Sequence, residues 1–335
     1  MKRTIYLYKS GTLKRKDFSL ACVTKDETIP IPIRQVDLII CFSDITMNKR
    51  VLELLNAYGI SIFFFTHHAN YIGQFLPKQH YDGSCLVKQV HVYENEEERL
   101  YIAKQMTYAN LHNCLSVLKY YQKKGRNLVY EIQEIEKIIR GIKSKESINE
   151  LLLMEARAKQ FYYHGFDEIT KNKDFAFEKR MVCPPKNEMN AMMSYGYALL
   201  YSHYLSVLYR SSLLPSISFI HSLSKSKDSL QYDLADILKP VLVDRLIFRL
   251  IRKNQIRKDM FEYCIDGSCY LNKEGASFFV KEFDKQLNKT IQIQKVDYSY
   301  KRLISKEVHE LSNYIREKST EYNPFLMNWK VLLCM

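Results

Sequence analysis

"VDLIICFSDITMNKRVLELLNAYGISIFFFT", residues 36–66, changes its hydrophobic period twice. Its ends, "VDLIICF" and "ISIFFFT", are β-branched and aromatic runs of strand length, whereas the middle places Val51, Leu54, Leu55 and Tyr58 on one helical face. Thr46 is the expected cap of that helix and Gly59 its stop. Upstream, "TIYLY", "SLACV" and "IPIPI" carry the same strand signal between Gly11, Pro30 and Pro32. Residues 1–77 therefore read as a small β-rich domain with one helix inside it.

Downstream the pattern changes. "KQHYDGSCLVKQV" at 78–90 shifts in composition, and residues 78–93 are read as a linker. "ENEEERLYIAKQM" then gathers acidic residues where a helix dipole favours them. From 94 to about 320 the spacing is helical, broken near Gly125, Gly141, Gly165, Pro184, Pro215, Gly267 and Gly275. "KTIQIQKVDYSYKRLI" fits a strand or a helix. The expected fold class is α+β: a small N-terminal β-rich domain at 1–77, a linker at 78–93 and a larger all-α domain at 94–335.

Composition narrows the function. Of 335 residues 47% are hydrophobic, as in a globular protein, and 50 Lys and Arg against 37 Asp and Glu leave a net charge of +13. That excess favours a polyanion, with nucleic acid ahead of an anionic membrane surface. The longest apolar cluster, "ISIFFF", is far short of the roughly 18 residues of a spanning helix, and the N-terminal stretch has no signal-type apolar region. A soluble cytoplasmic protein without a membrane role is expected. Eight scattered cysteines form no C-x-x-C pair, so they read as small buried hydrophobes in a reducing compartment and do not indicate zinc.

Three polar groups interrupt apolar faces. In "SINELLLMEARAKQFYY", Ile148, Leu151, Leu152 and Tyr162 share a stripe in which Glu155 takes a hydrophobic slot. His221 ends the apolar run of "LLPSISFIHSLSKSKDSL" and begins a Ser/Lys-rich loop. In "SLQYDLADILKPVLVDRL", Asp233 and Asp236 lie three apart on an otherwise apolar helix, where they repel one another unless a cation lies beside them. Each has an ordinary explanation: Glu155 paired with Arg157 or Lys159, His221 at the surface, Asp233 as a helix cap and Asp236 paired with Lys239. Together, Glu155, His221 and Asp236 supply two hard oxygens and an imidazole, a set suited to Mg²⁺ or Mn²⁺. Their spacing fits no short metal motif.

A basic run follows. "KPVLVDRLIFRLIRKNQIRK" places Arg245, Arg249 and Arg252 along one side of a helix, and these, with Lys225 of the Ser/Lys-rich loop, are the candidate DNA contacts. A solvated outer face is the alternative for the run.

Four stretches, in order, resemble the Cas1 family of CRISPR-associated spacer integrases. "LLLMEARAKQFYY" is similar to the family's helix bearing a metal-binding Glu, here Glu155. "CPPKNEMNAMMSYGYALL" matches its pattern through Pro184, Pro185, Asn190, Ala191, Ser194, Gly196 and Tyr197. "SFIHSL" carries the ligand position at His221. "YDLADILKPVLVDRL" carries the acidic helix, with the ligand position at Asp236 and an accompanying acid at Asp233. In "RMVCPP", Arg180 stands four residues before Pro184, farther than the family's arginine often does, and receives no role. The opening "MKRTIYLYKSGTLKRKDFSL" resembles integrases of type I systems.

The resemblance covers the whole chain. It implies a metal-dependent endonuclease and integrase of CRISPR adaptation, in which the 3′-hydroxyl of a spacer precursor attacks the CRISPR repeat by transesterification. It further implies that Glu155, His221 and Asp236 hold Mg²⁺ or Mn²⁺ with Asp233 assisting, that the chain forms a homodimer, and that Cas2 is its partner. Two rivals stand beside it: a metal-dependent, structure-specific nuclease that hydrolyses its substrate, and a non-catalytic DNA-binding scaffold whose carboxylates are only salt bridges. Convergence of Glu155, His221 and Asp236 to about 2–3 Å from one ion position separates catalysis from the scaffold.

Overall fold

The computed structural model describes residues 2–66, 68, 71–78, 82–223, 228–293 and 295–333. Strands β1 (Arg3–Leu7), β2 (Gly11–Lys16), β3 (Ser19–Val23), β4 (Thr28–Ile31), β5 (Val36–Cys41) and β6 (Ile45–Met47) precede helix α1 (Lys49–Tyr58), and β7 (Ser61–Phe65) and β8 (Tyr71–Phe75) follow it. They make two four-stranded sheets, β1-β5-β7-β8 and β4-β3-β2-β6. In the first, β1, β5 and β7 run parallel and β8 returns antiparallel. The second is an antiparallel meander with β6 parallel to β2.

The run in "VDLIICF" has a direct cause. Ile39 and Cys41 face a core shared with Leu13, Leu20, Val51 and Leu55, while Leu38, Ile40 and Phe42 face the core of the helical region. A strand buried on both faces needs an apolar residue at successive positions. Helix α1 starts later than expected: Asn48 is the cap, accepting from the Val51 N–H at 3.2 Å, and Thr46 lies in β6. Gly59 closes the helix at φ 65°, a left-handed conformation that glycine adopts without a Cβ penalty.

The region after 82 is helical, with α2 (Gly83–Glu94), α3 (Glu96–Lys123), α4 (Val129–Arg140), α5 (Ile148–Thr170), α6 (Glu188–Leu208), α7 (Leu230–Leu238), α8 (Arg245–Arg252), α9 (Lys273–Asn288), α10 (Tyr300–Ile315) and α11 (Trp329–Leu333). Helix α2 occupies most of the stretch expected as a linker. Asp82 caps it by accepting from the Ser84 and Cys85 N–H groups, and Cys85, Gln89 and Val92 turn inward. Two hairpins interrupt the helices: β9 (Phe261–Tyr263) with β10 (Cys269–Leu271), and β11 (Thr290–Ile293) with β12 (Val296–Ser299). The second resolves "KTIQIQKVDYSYKRLI" into a hairpin that runs into α10. Between α7 and α8, Lys239–Asp244 form a π-helical turn. Pro240 has no N–H to continue the α-helical ladder, so the chain widens there.

Among the described residues, Cys22, Cys41, Cys85, Cys114 and Cys269 are buried, whereas Cys183 and Cys264 are exposed; Cys334 lies outside the described residues. No described helix is long and apolar enough to cross a membrane.

The segment 322–328 crosses the helices without secondary structure, held by side chains. Asn113 accepts from the Met327 N–H at 2.6 Å and donates to the Phe325 carbonyl at 3.1 Å and to the Ile237 carbonyl of α7 at 2.7 Å. Glu307, fully buried on α10, accepts from the Phe325 N–H at 3.0 Å, and burial pushes its carboxyl up to about 8. The native state therefore binds a proton that the unfolded state has released, and stability falls as pH rises from the ordinary glutamate value towards 8. Glu307→Gln keeps an oxygen for Phe325 and removes the ionisation. We expect its melting temperature to exceed that of the wild type by several degrees at pH 8 and to approach it near pH 5, as read by thermal melts across pH. A wild type whose stability rises between pH 5 and 8 relative to the variant would refute this sign.

Candidate active site

Helix α7 and the loop before it are joined through Asp233. One of its oxygens accepts from the backbone N–H groups of Phe219 (2.6 Å) and Ile220 (3.0 Å). The other accepts from the His221 N–H (3.1 Å) and from His221 Nδ1 (2.6 Å). A carboxylate can only accept, so the imidazole carries its proton on Nδ1 and keeps Nε2 as its available nitrogen. Burial works against a charged imidazole, but Asp233 and then Asp236 outweigh it and raise His221 above the ordinary histidine value. Asp233 is thus neither a helix cap nor a free carboxylate: it fixes His221. Helix α2 supports the same loop, because buried Gln89 donates to the Leu214 and Ile217 carbonyls and accepts from the Leu214 N–H.

Asp236 stands beside Lys239, with which it forms an ion pair; both side chains are largely buried. Burial alone would raise its carboxyl, but Lys239, Lys159 and His221 prevail and hold it below the usual aspartate value. The Lys239 ammonium also lies 4.8 Å from the ring centroids of Tyr197 and Tyr201, a cation–π arrangement. Burial opposes its charge as well, yet Asp236 raises it above an ordinary lysine.

Glu155, on α5, accepts from Asn110 Nδ2 of α3 at 2.8 Å, and the Asn110 oxygen accepts from Lys159 at 2.8 Å. Burial raises the Glu155 carboxyl and the negative charge of Asp236 raises it further. Glu155, His221 and Asp236 therefore share one electrostatic site, built from α5, the loop before α7, and α7. As it stands the site is answered by lysine. Among the described residues no group of three or more His, Cys, Asp and Glu side chains is drawn together as metal ligands, and the expected convergence on a single ion position is not present. Asp236 instead faces Lys239, whose ammonium supplies the positive charge a buried carboxylate requires. The donor chemistry nevertheless fits a hard divalent cation: two carboxylates and a histidine with its tautomer fixed from behind.

Several residues of the site carried no signal of their own. Asp244, at the end of the π-helical turn, accepts from Tyr197 (2.7 Å) and Tyr162 (3.0 Å) and is fully buried below the site. Arg180, given no role from sequence, donates to the Asn190 oxygen and to Ser194 Oγ, both at 3.0 Å, and stacks over Tyr197 at 5.5 Å. Asn190 in turn accepts from the Met181 N–H and donates to the Lys179 carbonyl, both at 2.9 Å. The Asn190, Ser194 and Tyr197 pattern is thus the seat of an arginine. Lys159 and Lys239, one turn from Glu155 and Asp236, were legible only as neutralising partners, and Asn110 had no signal.

The basic run is partly spent within the protein. Arg249 donates to Glu282 at 3.0 Å, and Arg245 packs over the Tyr120 ring at 5.0 Å with its hydroxyl partner Tyr300 at 3.5 Å. Arg252 is exposed, over the Tyr121 ring at 5.2 Å. Lys225 lies outside the described residues.

Against known proteins, residues 5–285 match the family model described as CRISPR associated protein Cas1. A CRISPR-associated endonuclease Cas1 of Thermodesulfovibrio yellowstonii is 35% identical over 332 residues, covering 98% of this chain and 100% of the relative. The structure is similar to a Cas1 protein from Thermotoga maritima, with a TM-score of 0.84 and 32% identity over 94% of this chain and 97% of that one. The fold recurs in a casposase bound to integration product, with a TM-score of 0.88 and 21% identity over 98% of this chain and 95% of that one. It also recurs in a Cas6-RT-Cas1–Cas2 complex, with a TM-score of 0.81 and 19% identity over 98% of this chain and 36% of that one.

Proposed function

The chain belongs to the Cas1 family of CRISPR-associated proteins, and from that premise we propose that it integrates spacer DNA by metal-dependent transesterification. The observation that carries the reading is the Asp233–His221 unit: a carboxylate spends both oxygens to hold one imidazole, with Nε2 left available, in a site shared with Glu155 and Asp236.

Glu155, His221 and Asp236 would hold Mg²⁺ or Mn²⁺, which when bound supplies positive charge to a phosphate and acidifies an attacking hydroxyl. Lys159 and Lys239 keep the buried carboxylates neutralised without it, and for Asp236 to bind a cation Lys239 must let go of it. In the reaction a DNA 3′-oxygen forms a bond to phosphorus as the bond to the leaving 3′-oxygen breaks, so bond count is conserved and no nucleotide energy is used. The proposed assembly is a homodimer with Cas2 on spacer precursor and repeat DNA. A type I system is proposed from the opening stretch alone.

A second reading draws on the Asp236–Lys239 pair: a scaffold whose acids are only ion pairs. The deciding assay combines the purified chain and Cas2 with a supercoiled repeat plasmid and a DNA duplex with free 3′-hydroxyls. Joining is expected with Mg²⁺ or Mn²⁺, and none in EDTA or with 3′-deoxy ends. Cleavage that ignores the 3′-hydroxyl identifies a hydrolytic nuclease, and no reaction under any condition supports the scaffold.

The basic run makes its own prediction. Arg252→Ala should lower the slope of log K against log salt for duplex DNA by about 0.9, the value of one phosphate contact, while Arg249→Ala, whose partner is Glu282, should leave it unchanged. Binding isotherms at several salt concentrations check this, and equal slopes in all three proteins would return Arg252 to a solvated face.

A further inference from the structure

A separate basic site lies where β5 meets α6 and α10. A groove of about 240 Å³ there is lined by Asp37 of β5, Ser206 of α6, Arg210 just beyond α6, and Lys301, Arg302 and Ser305 of α10. Three cations meet one carboxylate, and that carboxylate is already used: Asp37 pairs with Lys301 at 2.8 Å. Lys301 spends its remaining hydrogens on the Lys2 carbonyl (2.9 Å) and Thr4 Oγ1 (3.2 Å), so it is a strut of the wall. The two guanidiniums are different. Arg210 gives one N–H to the Asp37 carbonyl at 3.0 Å, which fixes its plane and leaves the rest of its fork. Arg302 stacks over the Tyr298 ring at 4.7 Å, which leaves its edge for hydrogen bonding. Neither has a carboxylate partner among the described residues. Ser206 is 1% exposed and its hydroxyl has no hydrogen-bond partner among the described residues, so the groove wall holds a buried donor for an entering acceptor to meet. His203 beside it is pushed well below an ordinary histidine, by burial first and then by Lys301 and Arg210, so the positive charge of the groove is that of Arg210, Lys301 and Arg302.

We propose that this groove is a phosphate-binding site in which Arg210 and Arg302 present their guanidinium forks and Ser206 adds a third donor. Two guanidinium forks without an ion-pair partner among the described residues match a phosphate better than a carboxylate. The volume is below the roughly 300–1,000 Å³ of pockets that enclose a drug-sized ligand, so it suits an anionic group and not a whole heterocycle. The same chemistry serves a free phosphate monoester or a phosphate of a DNA backbone. The site is independent of the catalytic reading, because none of its residues touches Glu155, His221 or Asp236 in the interactions described above.

The test uses the full chain in phosphate-free buffer. Inorganic phosphate is titrated by calorimetry into the wild type, Arg210→Ala, Arg302→Ala, Arg302→Lys and Ser206→Ala, with melting temperatures taken for each, and duplex DNA affinity is measured across salt. The wild type should bind about one phosphate, both alanine variants of arginine should weaken it at least tenfold, and Ser206→Ala should weaken it several-fold. Arg302→Lys should keep stability without restoring the affinity, since a fork and not a point charge is required. If Arg210→Ala melts prematurely, the exposed Arg302 carries the comparison. A fall of about 0.9 in the DNA salt slope for either alanine variant assigns the site to backbone phosphate; an unchanged slope with lost phosphate binding assigns it to a free monoester. Phosphate affinity and DNA slopes equal in the wild type and both alanine variants would overturn the proposal.

Discussion

Asp236→Asn is expected to reduce DNA joining and nicking by about 10²–10³-fold or more, the loss that accompanies removal of one preorganised charge interaction from a reacting phosphate site. The substitution preserves size and polarity and removes the charge on which a divalent cation would depend. It also has a structural cost. Read alone, Asp233 and Asp236 are neighbouring acids whose repulsion a neutral residue relieves. In the fold Asp233 is occupied by four hydrogen bonds and Asp236 faces Lys239, so Asn leaves a buried ammonium without its partner. Breaking such a pair costs about 3–5 kcal/mol. The sign with pH follows from the depressed Asp236 carboxyl: its contribution is present above the unfolded aspartate value and is lost as pH falls through the folded one. The melting difference between wild type and variant should therefore be widest near neutrality and close in acid. DNA affinity, carried by basic residues elsewhere, should persist. An Asp236→Asn protein that joins DNA at the wild-type rate would sink the catalytic assignment, and a melting difference that widens in acid would sink the account of the ion pair.

How much of this could be read in advance depends on whether each signal was local. "VDLIICF" announced a strand because both its faces are buried, and Gly59 announced a helix end because its own backbone needs a positive φ. Thr46 was the expected cap, and Asn48 takes that place because pairing of β6 with β2 claims Thr46, a contact between segments distant in sequence. Helix α2 falls in the stretch read as a linker from its shift in composition: Asp82 is its N-cap, and its inward face, Cys85, Gln89 and Val92, is too sparse and polar to show a period.

In the site, Glu155, His221 and Asp236 stood out as polar interruptions of apolar faces, and the family resemblance grouped them. Spacing could not reveal that Asp233 reaches back twelve to fourteen residues to the 219–221 backbone, or that Asn110 of another helix holds Glu155. Such contacts are tertiary, and a single polar residue on a mostly buried helix does not declare its partner. The Asp236–Lys239 pair, three residues apart, is local and stood among the ordinary explanations of the sequence.

Asp233→Ala is expected to be the most destabilising change in the site. It removes the acceptor for three backbone N–H groups and one imidazole N–H in a place where the carboxylate itself is 1% exposed. Each buried donor left unpaired costs about 1–3 kcal/mol, so even with partial rescue by water the loss should reach several kcal/mol, a large part of the stability of a typical domain. Asp233→Asn is more informative. Its amide keeps one oxygen, which can serve the Phe219 and Ile220 N–H groups, and then turns an NH₂ towards His221 Nδ1. Two donors cannot meet, so the imidazole must move its proton to Nε2, and the nitrogen available to a cation is lost. The Asn variant should therefore fold less stably than wild type, lose at least the 10–100-fold that removal of an orienting partner costs a metal site, and show the altered His221 tautomer in its ring ¹⁵N shifts. A residue that merely capped α7 would cost about 1 kcal/mol and leave the tautomer unchanged. Melting curves, joining assays and ¹⁵N spectra of both variants separate the accounts: an Asp233→Ala protein melting within about a degree of wild type, or an Asp233→Asn protein that retains both the Nδ1–H tautomer and full activity, would remove Asp233 from its role as the fixture of His221.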